Sequence, residues 1–148
     1  MSTYTQIYYH IVFSTKNRAP TLAAGGREQL FRYTWGIFKN KRSHVYRING
    51  MEDHIHIPTG LHPAMCLASL VREVKVGTHK WIKENGLFPA FAGWQDGYGA
   101  FTVSHGDKDV VIEYIKDQQA HHRRVSFLDE LRELLEKYGV SFDEKYLA

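Results

Sequence analysis

Residues 44–57 read His44-Val45-Tyr46-Arg47-Ile48-Asn49-Gly50-Met51-Glu52-Asp53-His54-Ile55-His56-Ile57, and the division of this run decides the fold. His44 to Ile48 reads as one strand and His54 to Ile57 as another. Asn49-Gly50 between them is a strong hairpin signal. Side chains alternate across a strand, so His54 and His56 project from one face while Ile55 and Ile57 enter the other.

On the N-terminal side, the stretch Tyr4 to Phe13 alternates. Ile7, Tyr9, Ile11 and Phe13 point one way, and Tyr8, His10 and Val12 the other, which predicts a strand. Gly25-Gly26 precedes a helix expected from about Arg27 to Lys41, with Leu30, Phe31, Trp35, Ile37 and Phe38 at helical spacing. Pro63 is suited to open the next helix, where Leu67, Leu70, Val71, Val74, Trp81 and Ile82 recur and Gly86 ends the pattern. Gly99 to Val103 reads as a further strand. Ser104-x-x-Asp107 caps a helix expected to run to about Arg124, and Ser126-x-x-Asp129 caps a last one built on Leu128, Leu131, Leu134, Leu135 and Tyr138 and stopped by Gly139. The order β-α-β-β-α-β followed by helices predicts an α+β, ferredoxin-like (split βαβ) antiparallel sheet. Residues 1–148 are expected to form a single domain, with 126–148 as a C-terminal helical extension. Pro58-Thr59-Gly60 follows the histidine strand, and because proline removes a ladder donor that strand is expected to end or bulge there.

The chain has 148 residues, 24% of them charged, a formal net charge of +3 and nine histidines. The mild positive balance permits nucleic-acid binding without demanding it. No run approaches the roughly 18 apolar residues of a membrane span, and no secretory signal pattern is present, so a cytoplasmic location is expected. The single cysteine, Cys66, offers no internal disulfide or thiolate cluster and is expected in the core.

Two histidines at alternate strand positions can chelate one divalent ion; the same spacing suits two exposed histidines on an open sheet face. Tyr114 and Gln118 are four apart on a predicted helix and share a face. A glutamine carbonyl oxygen can ligate a hard cation, and a tyrosine one turn away would lie beside it; Tyr114 equally suits packing at the edge of the Val111, Ile112, Ile115 stripe. His121 lies on the Tyr114 stripe and can contact a phosphate or orient Gln118. Asp53 can hydrogen-bond a ligand histidine from behind, or serve the turn. His10 faces the same way as Tyr8 and is a candidate for DNA contact or, better, for structural packing. Lys16 and Arg18, with Lys39, Lys41, Arg42, Lys75, Lys80 and Lys83, are candidates for the DNA backbone or for plain solvation. Trp94, Tyr98 and Phe101 suit base stacking or, better, packing. No phosphate loop of the G-x-x-x-x-G-K-[ST] type occurs, so nothing suggests ATP use.

His54-Ile55-His56, the segment from Trp94-Gln95-Asp96-Gly97-Tyr98-Gly99 to Ser104, and Tyr114-Ile115-Lys116-Asp117-Gln118-Gln119-Ala120-His121-His122 stand in an order that resembles transposases of the insertion-sequence 200/605 type, within the HUH endonuclease superfamily. Tyr9 to Lys16 is similar to that family's first strand, and the resemblance spans Tyr4 to Arg124. The resemblance implies that Tyr114 is the nucleophile, carried by the C-terminal helices. His54, His56 and Gln118 would bind Mg or Mn, and the chain would form a homodimer. Its substrate would be single-stranded DNA with hairpin ends, cut and rejoined without ATP through a 5′-phosphotyrosine. Three rival readings are a non-catalytic single-strand nucleic-acid binder on the same sheet, a two-histidine phosphoesterase, and a domesticated relative that binds palindromic DNA.

Overall fold

The computed structural model describes residues 1–122 and 124–147. Its centre is a four-stranded antiparallel sheet with the order β2-β3-β1-β4, where β1 is Tyr8–Ser14, β2 is Asn49–Gly50, β3 is His54–Gly60 and β4 is Gly99–Val103. Helices α1 (Ala24–Asn40) and α2 (Leu67–Asn85) are the crossovers of the two split βαβ halves. They cover one sheet face, and Ile11, Phe13, Ile55 and Ile57 meet Leu30, Phe38, Leu70, Val74 and Ile82 in the main core. The predicted α+β ferredoxin-like fold is the one observed.

The opposite face carries the other half of the alternation. Val12 lies across from His56, Ser14 from His54, and His10 from both Pro58 and Phe101. This face is closed by α3 (Lys108–Lys116), the single turn α4 (Gln118–His121) and α5 (Phe127–Lys137). Val103 packs with Val111 and Ile115 of α3, while Val12 and Phe101 pack with Phe127 and Leu134 of α5. An open face with two exposed histidines is therefore not what forms.

Several elements differ from the sequence expectation. The first strand starts at Tyr8 rather than Tyr4, and α1 begins at Ala24, taking Gly25 and Gly26 into its first turn. His44 to Ile48 forms no strand beyond a bridge from Val45 to Thr59, and Asn49-Gly50 is itself the short strand β2, with the turn displaced to Met51–Asp53. Gly50 is needed because a β-carbon there would run into the His54 carbonyl. Pro58 does not end β3, which continues to Gly60. The Pro58 carbonyl accepts from Tyr46 N at 3.0 Å, and in a strand a residue's N and O point the same way. The missing N–H thus falls on the side that has only the isolated bridge, not on the β1 ladder.

α2 starts at Leu67, after a turn that contains Pro63, and ends at Gly86 in the left-handed region at φ 59°. Cys66 is the residue just before α2 and is exposed, not in the core. The helix expected from Ser104 to Arg124 is broken. Ser104 caps a 3-10 turn leading into α3, and at Asp117 (φ −96°, ψ 21°) the chain kinks before α4. Ser126 caps α5 through Asp129 N as expected. Among the described residues no helix is long and apolar enough to cross a membrane.

Candidate active site

His54 and His56 lie on β3 with no solvent exposure, side by side on the face under α3–α5. Asp53 Oδ1 is 2.7 Å from His54 Nδ1. A carboxylate only accepts, so His54 Nδ1 carries a proton and, in a neutral ring, Nε2 presents its lone pair to the interior. His10 Nε2 is 2.7 Å from His56 Nδ1, behind the site. Burial, then repulsion from His56, pushes His10 down to about 3, against the pull of Glu130. Burial also pushes His56 down to about 4, against the pull of Glu130. Both rings are neutral at pH 7, and the His56 proton sits on Nε2, donated to Glu130 at 2.8 Å, so a metal bound there would displace it.

The helices bring the rest. Asn49 Nδ2 donates to the carbonyls of Ile115 at 2.9 Å and Lys116 at 3.2 Å. It thereby satisfies groups that the end of α3 would otherwise leave without partners, and anchors the kink to the sheet. On the two sides of that kink, Tyr114 and Gln118 enter the site. Gln118 is fully buried; its Oε1 is 3.2 Å from His54 Nε2 and its Nε2 donates to Glu130 Oε2 at 3.0 Å. The Tyr114 hydroxyl donates to Glu130 Oε2 and stands 3.3 Å from His121 Nε2. Its ring centroid is 6.3 Å from that of His56. Tyr114 also lines a hollow of about 200 Å³ with His10, Glu130, Glu133, Leu134 and Lys137.

Glu130 of α5 is the group the sequence reading missed. Its carboxylate is fully buried at the middle of the cluster. His56 Nε2 lies 2.8 Å, His122 Nε2 3.2 Å and His54 Nε2 3.5 Å from Oε1. His54, His56, His122 and Glu130 each offer a ligand atom, all within 4.8 Å of one another. Burial alone would raise the Glu130 carboxyl, but hydrogen bonds from His122, His56 and Tyr114 outweigh it and hold the group far below the usual carboxylate range. Burial, then the Glu130 hydrogen bond and charge, pushes the Tyr114 phenol well above the usual tyrosine range. A signal for Glu130 existed: it stands three residues after Phe127 and four before Leu134, on the buried stripe of α5. A carboxylate on such a stripe needs partners.

Among the other candidates, His121 touches Tyr114 and Glu130 rather than Gln118. His10 is buried and pairs with His56. Lys16 is exposed just past the end of β1, at the end of the sheet where His54 lies. Arg18 is half-buried nearby and lines a hollow of about 260 Å³ with Ser14, Gln95 and Phe127. Lys75 turns inward to the carbonyls of Gln95 and Gly97. Lys41 pairs with Glu73 at 3.1 Å. Trp94 and Phe101 are core residues, and Tyr98 is exposed.

The donor chemistry fits a divalent cation. His54 Nε2, Gln118 Oε1 and Glu130 Oε1 converge as acceptors with no donor among them when His54 is neutral.

A family model described as "Transposase IS200 like" matches residues 3–118. The matched stretch takes in the sheet, Tyr114 and Gln118 and stops short of α5. Among solved structures, a candidate transposase from Deinococcus radiodurans R1 is similar at a TM-score of 0.62 and 20% identity, over 80% of this chain and 95% of that one. A REP-associated tyrosine transposase bound to a REP hairpin is similar at a TM-score of 0.62 and 17% identity, over 84% of this chain and 76% of that one. At these identities the likeness is one of fold. No curated protein matches the chain.

Proposed function

The chain belongs to the IS200-like transposase family, and on that premise we propose that it cleaves and rejoins single-stranded DNA at hairpin-bearing ends, with Tyr114 as nucleophile. The observation that carries this reading is the meeting, within one chain, of the Tyr114 hydroxyl with the buried cluster around His54 and His56. A packing tyrosine would not need its hydroxyl on a buried carboxylate among imidazoles.

In this reading Tyr114 Oη gives up its proton as it attacks the scissile phosphorus, the bond to the DNA 3′ oxygen breaks, and that oxygen takes up a proton and leaves as a 3′-hydroxyl. The 5′-phosphate stays on the tyrosine until another 3′-hydroxyl attacks it, so no ATP is consumed. His54, His56 and Gln118 would hold Mg or Mn, which when bound polarises the phosphate and stabilises charge on its oxygens. Asp53 orients His54, and His10 supports His56 from behind. Lys16 and Arg18, beside the His54 end of the sheet, would contact the DNA backbone. A homodimer and a cytoplasmic location belong to the same reading. The REP-hairpin complex of a similar fold supports hairpin DNA as the partner class.

The test is incubation of a labelled single-stranded hairpin oligonucleotide with the protein and Mn²⁺ or Mg²⁺. Wild type is expected to form a covalent protein–DNA adduct, and Tyr114→Phe to bind the DNA normally without forming one. An adduct of equal yield from Tyr114→Phe removes the nucleophile assignment. Reversible binding without any adduct in wild type turns the reading to a non-catalytic binding module.

A further inference from the structure

α5 carries a charge where an apolar residue would pack. Phe127 stacks on the His54 ring, centroids 4.2 Å apart and planes at 18°, and Leu134 joins Val12 and Phe101. Between these two anchors, one turn from each, Glu130 is pressed onto the sheet face with a side-chain exposure of 1%. A buried carboxylate is retained at such a place only when its charge is matched. Its two oxygens divide the neighbours. Oε1 faces His54, His56 and His122, and Oε2 faces Tyr114, Gln118 and His121.

The division has a chemical meaning. Asp53 fixes the His54 proton on Nδ1, which leaves Nε2 as an acceptor in the neutral ring. That acceptor looks at Glu130 Oε1 across 3.5 Å and at Gln118 Oε1 across 3.2 Å. Acceptors that face one another repel unless a proton or a cation lies between them. His54, His56, His122 and Glu130 each offer a ligand atom and all lie within 4.8 Å of one another, close enough to share one ion, which on binding would displace the protons that His56 and His122 Nε2 give to Oε1.

We propose that Glu130, delivered by α5, is a metal ligand through Oε1, with His122 as a third imidazole beside His54 and His56, and that this nitrogen-rich set takes Mn²⁺ in preference to Mg²⁺. The proposal rests on the reading of His54 and His56 as ligands and adds a carboxylate and an imidazole from beyond the family-matched stretch. Imidazole suits transition metals, whereas Mg²⁺ prefers oxygen ligands and keeps its waters. While Oε1 serves the ion, Oε2 remains on the Tyr114 hydroxyl, so Glu130 is also a positioning residue that ties the nucleophile to the metal.

Calorimetric titration of the chelator-treated full chain with MnCl₂ and with MgCl₂ tests this, with Mn²⁺ paramagnetic resonance on the same samples and unfolding curves on every variant. Wild type is expected to bind Mn²⁺ at least tenfold more tightly than Mg²⁺. Glu130→Gln and His122→Gln are each expected to lose at least tenfold in Mn²⁺ affinity while folding cooperatively. A folded Glu130→Gln with wild-type Mn²⁺ affinity overturns the proposal; if His56→Ala then abolishes binding, the reading of the strand histidines survives. Undiminished Mn²⁺ binding by His56→Ala as well brings down both. Should Glu130→Gln fail to fold, His122→Gln decides, because unchanged Mn²⁺ affinity there overturns the three-imidazole site. Equal affinity of wild type for Mg²⁺ and Mn²⁺ overturns the stated preference.

Discussion

His10, His56 and His122 sit within one cluster yet respond oppositely to it. Burial holds His10 at about 3 and His56 at about 4. In the unfolded chain both take up a proton below about pH 6.5. The unfolded state then binds more protons. Stability is therefore full above about pH 6.5 and falls as pH drops toward the folded values, by about 1.4 kcal/mol per pH unit for each ring. His122 is raised: burial opposes its charge, but the hydrogen bond to Glu130 and the charge of Glu130 outweigh that. Its contribution is complete below about pH 6.5 and is lost as pH rises through its folded value. Urea midpoints of chelator-treated protein are thus expected to peak near pH 6.5, and a midpoint that does not fall between pH 6.5 and 5 contradicts the buried neutral rings. At this scale the sequence told which way His54 and His56 point, because strand parity is local. It did not reveal Glu130, because a helical stripe does not name the surface it will cover.

One element was misread for a reason that reaches beyond its own residues. Asn49-Gly50 has the composition of a hairpin turn, but Asn49 is drawn into the sheet because its side chain is needed by the carbonyls of Ile115 and Lys116. Asn49→Ala removes both hydrogen bonds, the one to Ile115 buried, and is expected to cost about 1–3 kcal/mol in urea unfolding. It should also lower the yield of covalent adduct, since the kink it holds carries Tyr114 and Gln118 on either side. Unchanged stability and yield would mean the anchor is dispensable. The capping signal at Ser126 was legible and is observed. Ser126→Ala is expected to cost about 1 kcal/mol. Because the first turn of α5 sets Phe127 and Glu130, the loss should appear also as weaker Mn²⁺ binding in the calorimeter. A fall in stability with no change in affinity would uncouple the cap from the site.

At the scale of the whole molecule, the site is assembled within one chain: Tyr114, from the helices that follow the sheet, reaches the carboxylate that also faces His54 and His56. If the working site is this one, mixing Tyr114→Phe protein with His56→Ala protein will not restore adduct formation. Recovery toward half of wild-type yield would instead mean that one subunit's tyrosine serves its partner's histidines. The sequence by itself determined the order of the sheet strands and crossover helices along the chain, the two faces of β1 and β3, the C-terminal end of α2 and the cap of α5, all of which follow from spacing over a few residues. Only the tertiary structure decided that the histidine face is closed rather than open, that the Tyr114 helix breaks, and that a carboxylate 74 residues from His56 lies against it. The physical reason is that periodicity specifies which side of an element is buried, whereas its partner is chosen by packing summed over the whole chain.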